Sequence, residues 1–157
     1  IGKERIRRAG RKIKDEAGQQ GQDLDIGFRV LKLDNSNMQD VYYTPRNFTV
    51  NDLFADNVKP GRTAEDLLFQ VMLDLGVELS ATIEQRMMDG KTVFFVNDNY
   101  LVACFDTDIA EDTIKEIAKL KPYYFVMRDS SLASDNVADN FDQLFETYSK
   151  DTIRRII

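Results

Sequence analysis

Two stretches of this chain put acidic side chains directly after apolar runs. Asp106 and Asp108 follow Tyr-Leu-Val-Ala-Cys-Phe at 100–105, and Asp129 follows Tyr-Tyr-Phe-Val-Met at 123–127 with one arginine between. If both runs are strands, the three carboxylates stand at strand C-terminal ends, where open α/β sheets place their ligands. Carboxylate oxygens suit Mg²⁺, so Asp106, Asp108 and Asp129 are candidates for a Mg²⁺-dependent phosphotransfer site. The same residues have a local reading. Asp108 is placed to cap a helix, Asp106 to make a turn, and Asp129 to cap or to pair with Arg128.

Other nucleophile chemistry is excluded by composition. The chain has 157 residues and no histidine. Ser130, Ser131 and Ser134 therefore lack the imidazole that a Ser-His hydrolase needs. Cys104, the single cysteine, lies inside an apolar run and reads as a small buried hydrophobe. A lone cysteine makes no intrachain disulfide and no Cys/His zinc site, and a reducing cytoplasm is the default compartment. The Asp-Thr-Asp order weakly resembles the nucleophile loop of haloacid-dehalogenase-type phosphatases, but no lysine or second acidic cluster completes it. Tyr42 and Tyr43 are adjacent aromatics that either stack on bases or cover a core edge. Asn47-Phe48-Thr49 is a formal glycosylation acceptor without any sign of secretion.

Charge is distributed unevenly. Residues 1–14 carry seven basic side chains and one acidic one, whereas the remaining 143 residues carry 14 basic and 26 acidic. The net charge of −6 argues against a general phosphate-tracking surface. It leaves one local basic strip, in which Arg5, Arg7, Arg8, Arg11 and Lys12 are candidate DNA-backbone contacts. The alternative is the solvated face of a helix. No apolar run reaches the ~18–20 residues of a membrane span.

The elements follow from periodicity and punctuation. Residues 3–17 read as a helix with a thin apolar stripe at Ile6, Ala9 or Gly10, and Ile13. A helix so short and so weakly amphipathic needs a packing partner, expected to precede Ile1. Gly18–Gly21 ends it as a joint. Residues 27–33 (GFRVLKL) read as a strand, Asp34–Asn37 as a turn, and 49–56 as a short helix after an irregular stretch around Pro45. Thr63 with Asp66 forms a capping box before an apolar face at Leu67, Leu68, Val71, Met72 and Leu75, and Gly76 stops that helix. Residues 82–105 read as a three-stranded meander with a type I′ turn at Asp89-Gly90. Its runs VFFV and LVACF are continuous, as strands covered on both faces require. A helix over 109–121 is capped by Asp108 with Glu111 at the box position. The strand 123–127, the helix 136–148 and the strand 152–157 complete the chain. Strands alternating with helices imply parallel pairings. The fold class is mixed α/β: a meander plus parallel strands in one mixed sheet, flanked by helices.

Several stretches, in order, resemble the C-terminal part of the modification subunit, a DNA adenine-N6 methyltransferase, of type III restriction–modification systems. They are Glu4-Arg5-Ile6-Arg7-Arg8-Ala9; Gly27-Phe28-Arg29-Val30-Leu31-Lys32-Leu33-Asp34-Asn35-Ser36-Asn37; Gly61-Arg62-Thr63 with its helix; the meander ending Leu101-Val102-Ala103-Cys104-Phe105; and Arg128-Asp129-Ser130 followed by Asp135-Asn136-Val137, Asn140, Gln143 and Phe145. The resemblance implies a bacterial parent enzyme that moves a methyl group from S-adenosylmethionine to adenine. That family's Asp-Pro-Pro-Tyr loop and Phe-x-Gly-x-Gly turn are absent here, so no catalytic or cofactor residue carries over and none is assigned to this segment. Residues 1–20 then correspond to the terminal helix and linker of a preceding methyltransferase domain, and residues 24–157 to an accessory domain. The implied partners are the rest of that subunit, a second copy in a homodimer, the ATP-dependent restriction subunit (a helicase/nuclease), and DNA through the parent protein.

Overall fold

The computed structural model describes residues 1–39, 57–132 and 135–157, with backbone alone for 135–139. The short helix at 49–56, Pro45, Tyr42-Tyr43, Asn47-Phe48-Thr49 and Ser134 lie outside the described residues. The chain forms two compact units, Ile1–Asp34 and Asn35–Ile157. Residues 24–34 thus group with the N-terminal helix rather than with the body that follows.

In the first unit, α1 spans Gly2–Glu16 and buries none of its residues. Gly18, at φ +55°, leads into a single 3₁₀ turn over Gly18–Gly21. A side chain at Gly21 would collide with the Lys14 carbonyl, its Cβ falling 2.5 Å away. Glycine is therefore what lets the chain fold back onto the helix. Among the described residues, 24–34 join no strand ladder, so the strand expected at 27–33 does not form; its β-favouring side chains find no partner strand there.

Among its described residues the second unit holds a five-stranded sheet in the order β1-β2-β3-β4-β5. The strands are β1 (Ile83–Met88), β2 (Lys91–Val96), β3 (Leu101–Cys104), β4 (Tyr124–Met127) and β5 (Ile153–Ile156). β1, β2 and β3 pair antiparallel as a meander, and β4 and β5 add parallel. The mixed sheet expected from the sequence is therefore present. Asp89 and Gly90 both have positive φ, 49° and 77°, as a type I′ turn demands.

Side chains alternate between two cores. Phe94, Val96, Leu101, Ala103 and Val126 pack with Leu67, Leu68, Val71 and Met72 of α2 (Ala64–Asp74). Val93, Phe95, Val102, Cys104, Phe125 and Met127 pack with Ile114, Ile117 and Ala118 of α3 (Glu111–Lys119) and with Phe141 and Phe145 of α4 (Asp135–Tyr148). Burial on both sides explains why the central strands read as unbroken apolar runs.

Local capping follows the sequence in one helix and departs from it in another. Thr63 caps α2, its hydroxyl accepting from the Asp66 amide at 3.2 Å while Asp66 accepts from the Thr63 amide at 2.8 Å. Gly76 ends the helix at φ +69°. α3 begins later than expected, with Ala110 at its N-cap and no side-chain cap. Asp108 is not the cap. It sits two residues upstream at φ +54°, because Ile109 leaves the helical path to bridge Leu132.

Candidate functional site

The C-terminal ends of β3 and β4 are where a parallel sheet would carry a ligand. Here they are closed by the chain itself. Asp106 accepts a hydrogen bond from the Thr92 amide at 2.6 Å. Lys91 Nζ donates to the Thr107 carbonyl at 2.8 Å. The Ile109 amide donates to the Ser131 carbonyl at 2.7 Å, and the Ile109 side chain is fully buried. The Asp129 amide donates to the Ile157 carbonyl at 3.0 Å, and the Ser131 hydroxyl accepts from the Arg128 amide at 3.2 Å.

Topology gives the reason. A ligand crevice in an open sheet forms where successive crossovers step in opposite directions and the covering helices part. In this sheet both crossovers step the same way, from β3 to β4 to β5, and both helices lie on one face. No switch point arises. Among the described residues, no group of three acidic, cysteine or histidine side chains is arranged to hold a metal. Asp106, Asp108 and Asp129 form no such group, so the alternative Mg²⁺ constellation is not assembled, and the Asp106 carboxylate caps the Thr92 amide instead.

Cys104 is equally closed off. It is fully buried in β3, and burial pushes its thiol up to about 11. A thiol so rarely ionised is a poor nucleophile.

Arg5, Arg7, Arg8, Arg11 and Lys12 all lie exposed on α1. The helix does not gather them into one patch. At 3.6 residues per turn, Arg5, Arg8 and Lys12 share one face, and Arg7 and Arg11 share another. Arg8 pairs with Glu4 at 2.9 Å and Lys12 with Glu16 at 3.7 Å. The Arg7 guanidinium lies 5.9 Å from the centre of the Phe28 ring. An open surface concavity along the helix is lined by Arg8, Arg11, Lys12, Asp15 and Glu16, with both charge signs present.

Two features escaped the sequence reading. Tyr100, Tyr123 and Tyr124 cluster at the opposite ends of β3 and β4. Tyr100 and Tyr123 stack at 5.2 Å and Tyr124 meets Tyr123 edge-on at 4.8 Å. Their separation in sequence hid the cluster, since pairing of β3 with β4 is what joins them. Asn37, read as a turn residue, is buried. Its side-chain amide donates to the Asp66 carbonyl at 2.8 Å and its backbone amide to Gln70 Oε1 at 2.9 Å, pinning this segment to α2.

No protein-family model matches the chain, and neither a curated protein nor a solved structure is significantly similar to it.

Proposed function

We propose that this chain is the accessory C-terminal domain of the DNA adenine-N6 methyltransferase subunit of a type III restriction–modification system, serving assembly rather than methyl transfer. The observation that carries this reading is the contrast between its two units. The body fills its own strand ends with Ile109 and backbone hydrogen bonds. The first unit leaves Ile6, Ile13, Leu24, Val30, Leu31 and Leu33 exposed within 34 residues. An apolar surface of that density is what a contact surface needs. The ordered resemblance of the sequence segments supplies the family.

On this reading S-adenosylmethionine is bound by the parent enzyme upstream. The partners are the methyltransferase domain, a second copy of the subunit and the ATP-dependent restriction subunit, in the cytoplasm of a bacterium. The cations of α1 give a secondary contact to the DNA backbone, sensitive to salt. The test pairs two proteins. Labelled S-adenosylmethionine and duplex DNA should give adenine methylation with the full reading frame and none with the 157-residue chain. Methyl transfer by the short chain, or none by the full one, overturns the reading.

A further inference from the structure

β1 is a border strand of the sheet and pairs with β2 alone. The Asn97 amide donates to the Thr82 carbonyl at 2.9 Å. Antiparallel ladders exchange their bonds at every second pair. Counting on from Thr82 and Asn97, the bonded pairs are Glu84 with Phe95, Arg86 with Val93 and Met88 with Lys91. Thr92 agrees with this phase, since its amide turns away from β1 to Asp106. The amides and carbonyls of Ile83, Gln85 and Met87 therefore face outward. Among the described residues nothing bonds to them.

The side chains of this border match a second copy of themselves. Glu84 and Arg86 share one face of the strand, and Ile83, Gln85 and Met87 share the other. Arg86 lies over the Phe95 ring at 4.3 Å and donates twice to Glu84, at 2.9 and 2.7 Å. Ile83 is half-buried against the α2 core, and Met87 is 65% exposed. A second β1 laid antiparallel about a dyad at Gln85 brings each Glu84 opposite Arg86 of the other copy. Each exposed Met87 then meets Ile83 of the other copy. The outward groups of Gln85 meet their own counterparts, and those of Ile83 meet those of Met87, each such pair exchanging two hydrogen bonds. Opposite charges and apolar side chains directly across antiparallel strands attract.

Other alignments fail. A dyad at Glu84 sets carboxylate against carboxylate, and one at Arg86 sets guanidinium against guanidinium. Shifting further leaves the ions without counterparts and shortens the ladder. β5 offers no such match, since Ile153–Ile156 holds two arginines and no acid.

We infer that β1 is a dimerisation strand: two copies of this chain join antiparallel along Ile83–Met88, centred on Gln85, into one continuous sheet. Glu84 and Arg86 form the ion pairs across the dyad. The contact is isologous, so it closes at two copies. Two short strands bury less than the ~1,200 Å² of a standard interface, so the dissociation constant of this chain alone is on the order of 0.1 mM. The inference gives a surface to the second copy named under Proposed function and rests on that reading for the copy's being a partner.

Sedimentation equilibrium of the 157-residue chain from about 10 µM to about 1 mM tests it. The mass should double over that range. Glu84→Arg and Arg86→Glu each set like charges across the dyad and should each weaken association about tenfold. Mixed in equal amounts, the two variants carry opposite charges at both crossings, and association should return. Gln85→Pro removes an outward amide that β2 does not use and should abolish association. Amide exchange on the unaltered chain gives a readout free of any folding defect. Ile83, Gln85 and Met87 should slow with concentration, while Glu84 and Arg86, already bonded to β2, should be slow throughout. A monomer's mass up to about 1 mM overturns the inference. So does association indifferent to these substitutions, or a variant mixture that stays monomeric. Protection of the three outward amides at every concentration, with a monomer's mass, assigns the border to another segment of this chain and overturns it too. Methyl transfer by the full reading frame without association through β1 sinks this inference alone. Association through β1 without methyl transfer sinks the parent-enzyme reading alone.

Discussion

The Asp106 carboxylate accepts a hydrogen bond from the Thr92 amide at 2.6 Å and so ties the end of β3 to the start of β2. A carboxylate in that position aligns a hairpin. Asp106→Asn keeps an acceptor oxygen and should lower unfolding free energy by about 1 kcal/mol, and Asp106→Ala by about 1–3 kcal/mol, read from urea denaturation. Millimolar Mg²⁺ should leave the wild-type melting temperature unchanged. A Mg²⁺-dependent rise that Asp106→Asn abolishes would restore the phosphotransfer reading.

The Thr63–Asp66 box satisfies amides at the start of α2 that the helix itself cannot. Thr63→Ala should cost about 1 kcal/mol, with no change in the denaturant slope, since the surface exposed on unfolding is the same.

Phe145 is fully buried, with its ring stacked on Phe125 at 5.3 Å and tilted against Phe141 at 5.2 Å. Phe145→Ala removes a side chain from a closed cluster between α4 and the sheet. Thermal and urea unfolding should report a loss of about 3–5 kcal/mol, and Phe145→Leu should recover much of it.

The thiol of Cys104 gives a pH dependence. Its ordinary value is near 9.0 and the folded protein holds it at about 11. The unfolded chain therefore releases this proton first as pH rises. Its stabilising contribution is complete below pH 9, declines between 9 and about 11, and levels off above. Cys104→Ala should flatten that part of the stability profile. A thiol-specific disulfide reagent should label native protein only as fast as it unfolds, and immediately in denaturant. Rapid labelling of the native chain would contradict the burial.

Replacing Arg5, Arg7, Arg8, Arg11 and Lys12 together with glutamine should shift the stability of the body by less than about 0.5 kcal/mol, because α1 buries no side chain. The same variant should lose any retardation of duplex DNA at low salt. Unchanged retardation would take these five residues out of the DNA contact.

The sequence was most legible where one residue's neighbours settle its role. The Thr63–Asp66 box, the Asp89-Gly90 turn and the unbroken runs around Phe94 and Val102 each encode a local geometry or a two-sided burial that the sheet then adopts. Asp108 was misread because its spacing to Glu111 imitates a capping box, while the bridge between Ile109 and Leu132, which delays the helix, joins residues far apart in sequence. Asp106 was ambiguous for the same reason. Its partner is Thr92, 14 positions away. Residues 27–33, read as a strand, join no ladder among the described residues, because β-favouring side chains do not by themselves supply a strand to pair with.

The outermost strand of the body, β5, has Arg154 and Arg155 between Ile153 and Ile156. Arg154 reaches Asp142 and Glu146 at 3.4 and 3.5 Å. Were two copies to join antiparallel along this border about their centres, each guanidinium would confront its own kind. Such like-charge opposition discourages fibrous growth. The far border at β1 is likewise studded with ions, Glu84 and Arg86. Both margins of the sheet are thus guarded against indiscriminate stacking.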